Sequence, residues 1–162
     1  MENDGLVQIY CGTGKGKTSV AIGQALRAIG RGKTAIVIQC LKGRASSELE
    51  YLSVLEPGVK LFRFEKKDKN YEDLTEEEKK EENSNIRNGL SYAKKVLATQ
   101  ECDLLILDEI LGALEFGIVT EEEIRELIAS KGDKTALVLT GNKVPSGLMD
   151  MADRVISLDV IK

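Results

Sequence analysis

The sequence contains no histidine and no tryptophan. Without an imidazole, Ser-His-Asp and Cys-His centres and histidine-ligated metal sites are excluded together. Any catalysis must rest on lysine, carboxylate, hydroxyl, backbone amides or a bound cofactor. Three cysteines, Cys11, Cys40 and Cys102, lie far apart and are odd in number. Neither a disulfide framework nor a zinc pattern fits them, which points to reduced thiols and a cytoplasmic location. No apolar run approaches the roughly 20 residues that span a bilayer, and the acidic start "MENDG" does not read as a signal peptide, so no membrane partner is expected. A net charge of −4, a pI near 5.1 and no evident basic face argue against nucleic acid as a partner. Aromatic material is scarce as well, at four tyrosines and three phenylalanines.

What is present suits one globular domain over residues 1–162, with 42% hydrophobic and 31% charged residues. Short β-rich apolar runs alternate with helical patterns, which predicts an α/β fold with a mostly parallel sheet of five or six strands. "LVQIYC" (6–11), "TAIVIQC" (34–40), "DLLILDE" (103–109) and "TALVLTG" (135–141) read as buried strands. "VKLFRF" (59–64) alternates like a strand nearer an edge, and "RVISL" (154–158) closes the series. Helices are expected over 17–30, over 46–55 with a Ser47/Glu50 capping box, and from Thr75 as N-cap to about Leu97. Two more are expected over 120–130, with a Thr120/Glu123 box, and from about Pro145 to Met151. The charged run 65–82 reads as a solvated face, or, with residues 65–75 as the moving part, as a lid over a pocket.

Between the first strand and the first helix lies "CGTGKGKTS", residues 11–19. It resembles the phosphate-binding pattern G-x-x-x-x-G-K-[ST], but Cys11 stands where the first glycine is expected. The strand–loop–helix context is the one this motif needs. Successive amides of Gly12, Thr13, Gly14, Lys15 and Gly16 can form an anion nest, reinforced by the helix N-terminus that carries Ser19. Lys17 can bridge phosphate oxygens, and the Thr18 hydroxyl can ligate Mg²⁺. Such a loop calls for an acid at the end of a buried strand, and "LLILDE" supplies Asp108 and Glu109 as further metal contacts. Gln39 and Lys42 end the second strand at the same carboxyl edge, where open α/β sheets bind ligands. "TGNK" (140–143) fails as a guanine-reading N-K-x-D element, because Pro145 occupies the aspartate position.

The segments "GLVQIYCGTGKGKTSVAIGQALRAIGRGK…VIQCLKG", "YAKKVL…DLLILDE" and "VLTGN…LMDMADRVISL", in this order, resemble the P-loop ATP:corrinoid adenosyltransferases. The resemblance runs from about Gly5 to Leu158, and the shortened loop with Thr or Cys before G-x-G-K-G-K-T is itself typical of that family. It implies a P-loop, RecA-like three-layer fold and transfer of the 5′-deoxyadenosyl group from MgATP to the Co(I) of a reduced corrinoid. In this family Co(I) attacks the ribose C5′ atom and the whole triphosphate leaves, with ATP running opposite to its usual direction in P-loop enzymes. Because Co(I) carries no proton to remove, the lack of histidine is no obstacle.

By resemblance, Lys15, Lys17 and Glu109 are the catalytic residues, Gly12 to Ser19 hold ATP, and Thr18 and Glu109, supported by Asp108, contact the metal. The corrinoid is expected against Gln39, Lys42, Phe64, Tyr71 and Phe116, although the phenylalanines also suit core positions. A homodimer and an electron-donating flavoprotein are implied as well. Members commonly have T-G-R where this chain reads Thr140-Gly141-Asn142, and continue into a K-H-P-F-containing tail where this chain stops at Lys162. The residues alone also allow a P-loop ATPase or small-molecule kinase using Glu109 to orient water or a hydroxyl. A non-catalytic ATP- or corrinoid-binding module is the third reading.

Overall fold

The computed structural model describes residues 4–41, 47–64 and 69–162. Six strands form one all-parallel sheet: β1 (Val7–Cys11), β2 (Ala35–Gln39), β3 (Val59–Arg63), β4 (Leu104–Asp108), β5 (Ala136–Thr140) and β6 (Arg154–Ser157). Their order across the sheet is β3-β2-β4-β5-β1-β6. β1, β2, β4 and β5 are buried at every position, as continuous apolar runs covered on both faces must be. The two edge strands, β3 and β6, are the ones that carry exposed positions.

Helices cover both faces. On one side α1 (Lys17–Gly30) and α2 (Ser47–Tyr51) pack Ala21, Ala25 and Leu49 against Val37, Ile106 and Val138. On the other, α3 (Glu76–Thr99), α4 (Ile110–Glu115), α5 (Glu121–Ser130) and α6 (Ser146–Met149) pack Ile86, Leu111, Ile124 and Leu148 against Ile38, Leu107 and Leu139. Alternate residues of each strand therefore serve opposite layers. All three thiols are buried, and burial pushes that of Cys102 up to about 12.

Two helix starts are as the sequence predicts: Thr75 with Glu78 and Thr120 with Glu123 each form a reciprocal capping box. The third differs. Ser47 is the first residue of α2, its hydroxyl directed at Glu48 (3.4 Å), and the helix gives way after Tyr51 to a 3-10 turn over Leu52–Leu55. That tighter winding accompanies the burial of both Leu49 and Leu52 beneath the segment. α4 is not foreseen by the periodicity, because Ile110, Leu111, Gly112 and Ala113 are all buried and present no polar face to mark a helix. Of the charged run, residues 65–68 lie outside the described residues. The rest is a 3-10 turn at Tyr71–Asp73 followed by the cap of α3.

α3 and α5 are tied by Arg87, whose guanidinium donates to both carboxylate oxygens of Glu123 (2.5 and 3.2 Å) and to the Ile118 carbonyl (3.1 Å). The hydrogen bonds from Arg87 and the Thr120 amide hold the Glu123 carboxyl down at about 2, against an ordinary value of 4.5. The folded-state value is depressed, so this contribution is fully present above the ordinary carboxylate range and is lost as pH falls toward 2. Glu123→Gln is expected to cost about 1 kcal/mol at neutral pH and nothing extra at pH 2, measured by urea unfolding across that range.

Candidate functional site

The sheet order decides what meets at its carboxyl edge. β1 does not neighbour β4; β5 lies between them. A side chain at the end of β5 can therefore bridge the loop after β1 to the acid ending β4, and Thr140 does so. Its hydroxyl donates to Asp108 Oδ1 (2.8 Å) and accepts from the Glu109 amide (2.8 Å). From the other side Thr18 donates to Asp108 Oδ1 and Oδ2 (3.0 and 3.1 Å). Asp108 is 1% exposed, so these hydroxyls replace water around a buried carboxylate.

Glu109 follows in the left-handed region (φ 62°), which turns the chain sharply into α4. Such a conformation is unfavourable for a residue with a side chain and is held here by the packed strand end and the Thr140 bond. Gly112 sits one turn into α4, where a Cβ would stand 3.2 Å from Glu109 Oε2 and 2.9 Å from the Leu41 side chain. The glycine thus leaves room for the glutamate at the site.

The glycine loop is shaped by contacts as well as by freedom of φ. Gly12 and Gly16 both have positive φ, 102° and 104°. Gly14 donates its amide to the Leu158 carbonyl (2.8 Å), which a Cβ at that position would approach to 2.5 Å. Gly12 donates to the Asn142 carbonyl (2.9 Å). The loop is therefore clamped between the segments that follow β5 and β6. Lys17 is 7% exposed and folds over it, donating to the carbonyls of Gly12 (2.7 Å) and Gly14 (2.9 Å). Lys15 and Thr13 are exposed.

A cavity of about 490 Å³ opens above, lined by Thr13 to Ser19 together with Glu48 and Glu109. Glu48 escapes the sequence reading. It reaches the site from α2 and accepts a hydrogen bond from Ser19 Oγ (2.9 Å), 29 residues away. No local motif signals such a contact. A much smaller cavity, about 40 Å³, lies at the opposite edge of the sheet among Arg27, Arg31 and Asp103, away from these groups.

The other expected residues divide. Gln39 stands opposite Asp108 in the β2–β4 register and is fully buried, with neither side-chain amide atom hydrogen-bonded among the described residues. An orphaned buried amide beside the acid asks for a polar occupant. Tyr71 and Phe116 meet, ring centroids 4.7 Å apart, and with Leu41 line a pocket of about 250 Å³. The Tyr71 hydroxyl is held by Asn83 (2.7 Å). Phe64 is elsewhere: its ring packs on Tyr92 (5.8 Å) and over Gly89 of α3. Lys42 lies outside the described residues.

Among the described residues no three His, Cys, Asp or Glu side chains cluster as a metal cage. The Thr18 hydroxyl, the Asp108 carboxylate and Glu109 are an all-oxygen set at the foot of the cavity. Few protein oxygens, completed by water and phosphate, suit Mg²⁺.

The chain matches the family model described as ATP:corrinoid adenosyltransferase BtuR/CobO/CobP over residues 3–162. It is 27% identical over 158 residues to a corrinoid adenosyltransferase of Escherichia coli (strain K12), covering 98% of this chain and 78% of that one. It is 27% identical over 161 residues to the corrinoid adenosyltransferase CobA of Salmonella typhimurium (strain LT2), covering 99% and 80%. In three dimensions it is similar to the flagellar accessory protein FlaH from Methanocaldococcus jannaschii, with a TM-score of 0.58 at 14% identity, covering 96% of this chain and 71% of that one. That likeness is one of fold.

Thr140→Val keeps the shape of the side chain but leaves Asp108 and the Glu109 amide each short of a partner. A loss of about 1–3 kcal/mol in unfolding free energy is expected, read by urea denaturation.

Proposed function

The chain belongs to the ATP:corrinoid adenosyltransferase family, and from that premise we propose that its glycine loop holds the triphosphate of MgATP while a reduced corrinoid takes the adenosyl group. The observation that carries this reading is the Thr18–Asp108–Thr140 bridge beneath a cavity walled by loop amides, Lys17 and Glu109. It joins the two halves of a nucleotide site, the phosphate loop and the strand-end acid.

In the transfer a bond forms between cobalt and C5′, the C5′–O bond breaks, and its electron pair leaves on the triphosphate. No proton moves. The protein's task is to position C5′ and to stabilise charge on the departing oxygens. The amides of Thr13, Lys15 and Gly16, at the cavity, are the ones to meet that charge without reorganisation, since those of Gly12 and Gly14 clamp the loop to the Asn142 and Leu158 carbonyls. Lys17, held over the loop by two carbonyls, supplies a buried positive charge, and Lys15 adds a second at the rim.

The Thr18 hydroxyl with Asp108 and Glu109 would hold Mg²⁺, which would neutralise part of the triphosphate charge. Gln39, opposite Asp108 and without a partner among the described residues, is suited to hydrogen-bond a water or phosphate oxygen there. For the corrinoid, the paired rings of Tyr71 and Phe116 beside Leu41 offer an apolar wall at the carboxyl edge. A cytoplasmic homodimer that receives its electron from a flavoprotein completes the reading.

The test is an anaerobic assay with chemically reduced cobalamin and MgATP, following loss of the Co(I) absorbance and identifying the phosphate product. Adenosylcobalamin with intact triphosphate is expected, and Lys17→Ala should lower the rate by about 10²-fold or more. ADP with orthophosphate would instead assign an ATPase, and ATP binding without turnover a binding module.

A further inference from the structure

We propose that the cavity at the amino edge of the sheet, beside the last turn of α1, is a binding site for a small tetrahedral oxyanion of the phosphate class. It is separate from the glycine loop and does not rest on the reading of that loop. Leu104 and Ala136, the first residues of β4 and β5, line it together with Arg27, Arg31, Lys33 and Gln8. At about 40 Å³ it has room for a single small ion, far below the roughly 300 Å³ or more of a pocket for a larger ligand.

The charges around this cavity do not balance from within. Two carboxylates line it, and each is engaged: Asp4 pairs with Lys33, and Asp103 accepts from the Thr34 amide (2.9 Å). Arg31 feels the charge of Asp4 without pairing to it. Neither Arg27 nor Arg31 has a side-chain hydrogen bond or ion pair among the described residues. They stand one helical turn apart, where like charges repel each other. The carbonyl end of α1 does not occupy them either. The Ala28 and Ile29 carbonyls already accept from the amides of Arg31, Gly32 and Lys33.

A buried donor serves the same space. Gln24 donates to the Tyr10 hydroxyl (2.9 Å), which donates to Gln8 Oε1 (3.2 Å). That chain of bonds sets the Gln8 amide and leaves its Nε2 protons for an acceptor in the cavity that Gln8 lines. Gln8 is 2% exposed, and its Nε2 has no acceptor among the described residues, so an empty cavity leaves a buried donor unmet. Two guanidinium forks and an amide present more donors than the two oxygens of a carboxylate can take in line, whereas phosphate or sulfate offers four oxygens. A bound ion bridges α1 to β1, the two elements that flank the glycine loop. It does so roughly 20 Å along α1 from Lys17, at the other end of the helix.

The test is calorimetric titration of the full chain with inorganic phosphate, beside its Lys17→Ala, Arg27→Gln and Arg31→Gln variants, with urea unfolding in the same buffers. Each arginine variant is expected to weaken phosphate binding by about ten-fold or more and to remove the rise in urea midpoint that phosphate produces. Lys17→Ala should keep both. Gln8→Glu retains an acceptor for Tyr10 but sets a carboxylate against the guanidiniums, and should abolish binding; unchanged binding there would remove Gln8 from the site. Sulfate should compete and acetate should not. No phosphate binding by the unaltered chain, or equal binding by the arginine variants, would overturn the site. So would its loss in Lys17→Ala, which would place the ion at the glycine loop. Equal competition by acetate would overturn the tetrahedral class, and equal binding of glycerol phosphate the restriction to a free ion.

Discussion

The buried carboxylate of Asp108 is the constraint around which this site is arranged. At 1% exposure it cannot rely on water, and it takes hydroxyls from Thr18 on α1 and Thr140 on β5. Those bonds tie three separate chain segments to one point at the carboxyl edge of the sheet. They also hold the Thr18 hydroxyl where the loop turns into helix, and Thr140 steadies the Glu109 amide at the left-handed turn into α4. The strand order makes this possible, since β5 alone separates the loop strand from the acid strand.

The shortened loop has its own explanation in packing. Cys11 is the last residue of β1 and is buried, so the turn begins one residue later, at Gly12. From there the loop runs in contact with backbone that follows β5 and β6, too close at Gly14 for any side chain. A loop clamped on both flanks presents its amides in a set geometry, which suits a reaction whose main demand is stabilising a departing polyanion. The lack of histidine in the chain fits a transfer in which no proton is moved.

Much of this was legible in the residues. Four strands buried on both faces read as continuous apolar runs, the two capping boxes sit where Thr-x-x-Glu announces them, and the glycine loop lies between strand and helix as its motif requires. Other parts were not legible, for identifiable reasons. α4 has no polar face, so no periodicity marks it. Phe64 and Phe116 look alike in sequence, yet the first packs over α3 and the second against Tyr71, because one follows edge strand β3 and the other follows α4. Ser47 is the first residue of α2 and not its cap, so the Ser47/Glu50 spacing does not mark a capping box there.

By itself, then, the sequence determined the parallel α/β architecture, the glycine loop between strand and helix and the acid that ends a buried strand, because these depend on periodicity and on short motifs whose geometry is local. Only the tertiary structure decided which distant groups complete the site. Glu48 beside Ser19, Thr140 between Thr18 and Asp108, and Tyr71 against Phe116 are contacts across 29, 32 and more residues of chain. They follow from strand order and helix packing, which bring together side chains that no local pattern links.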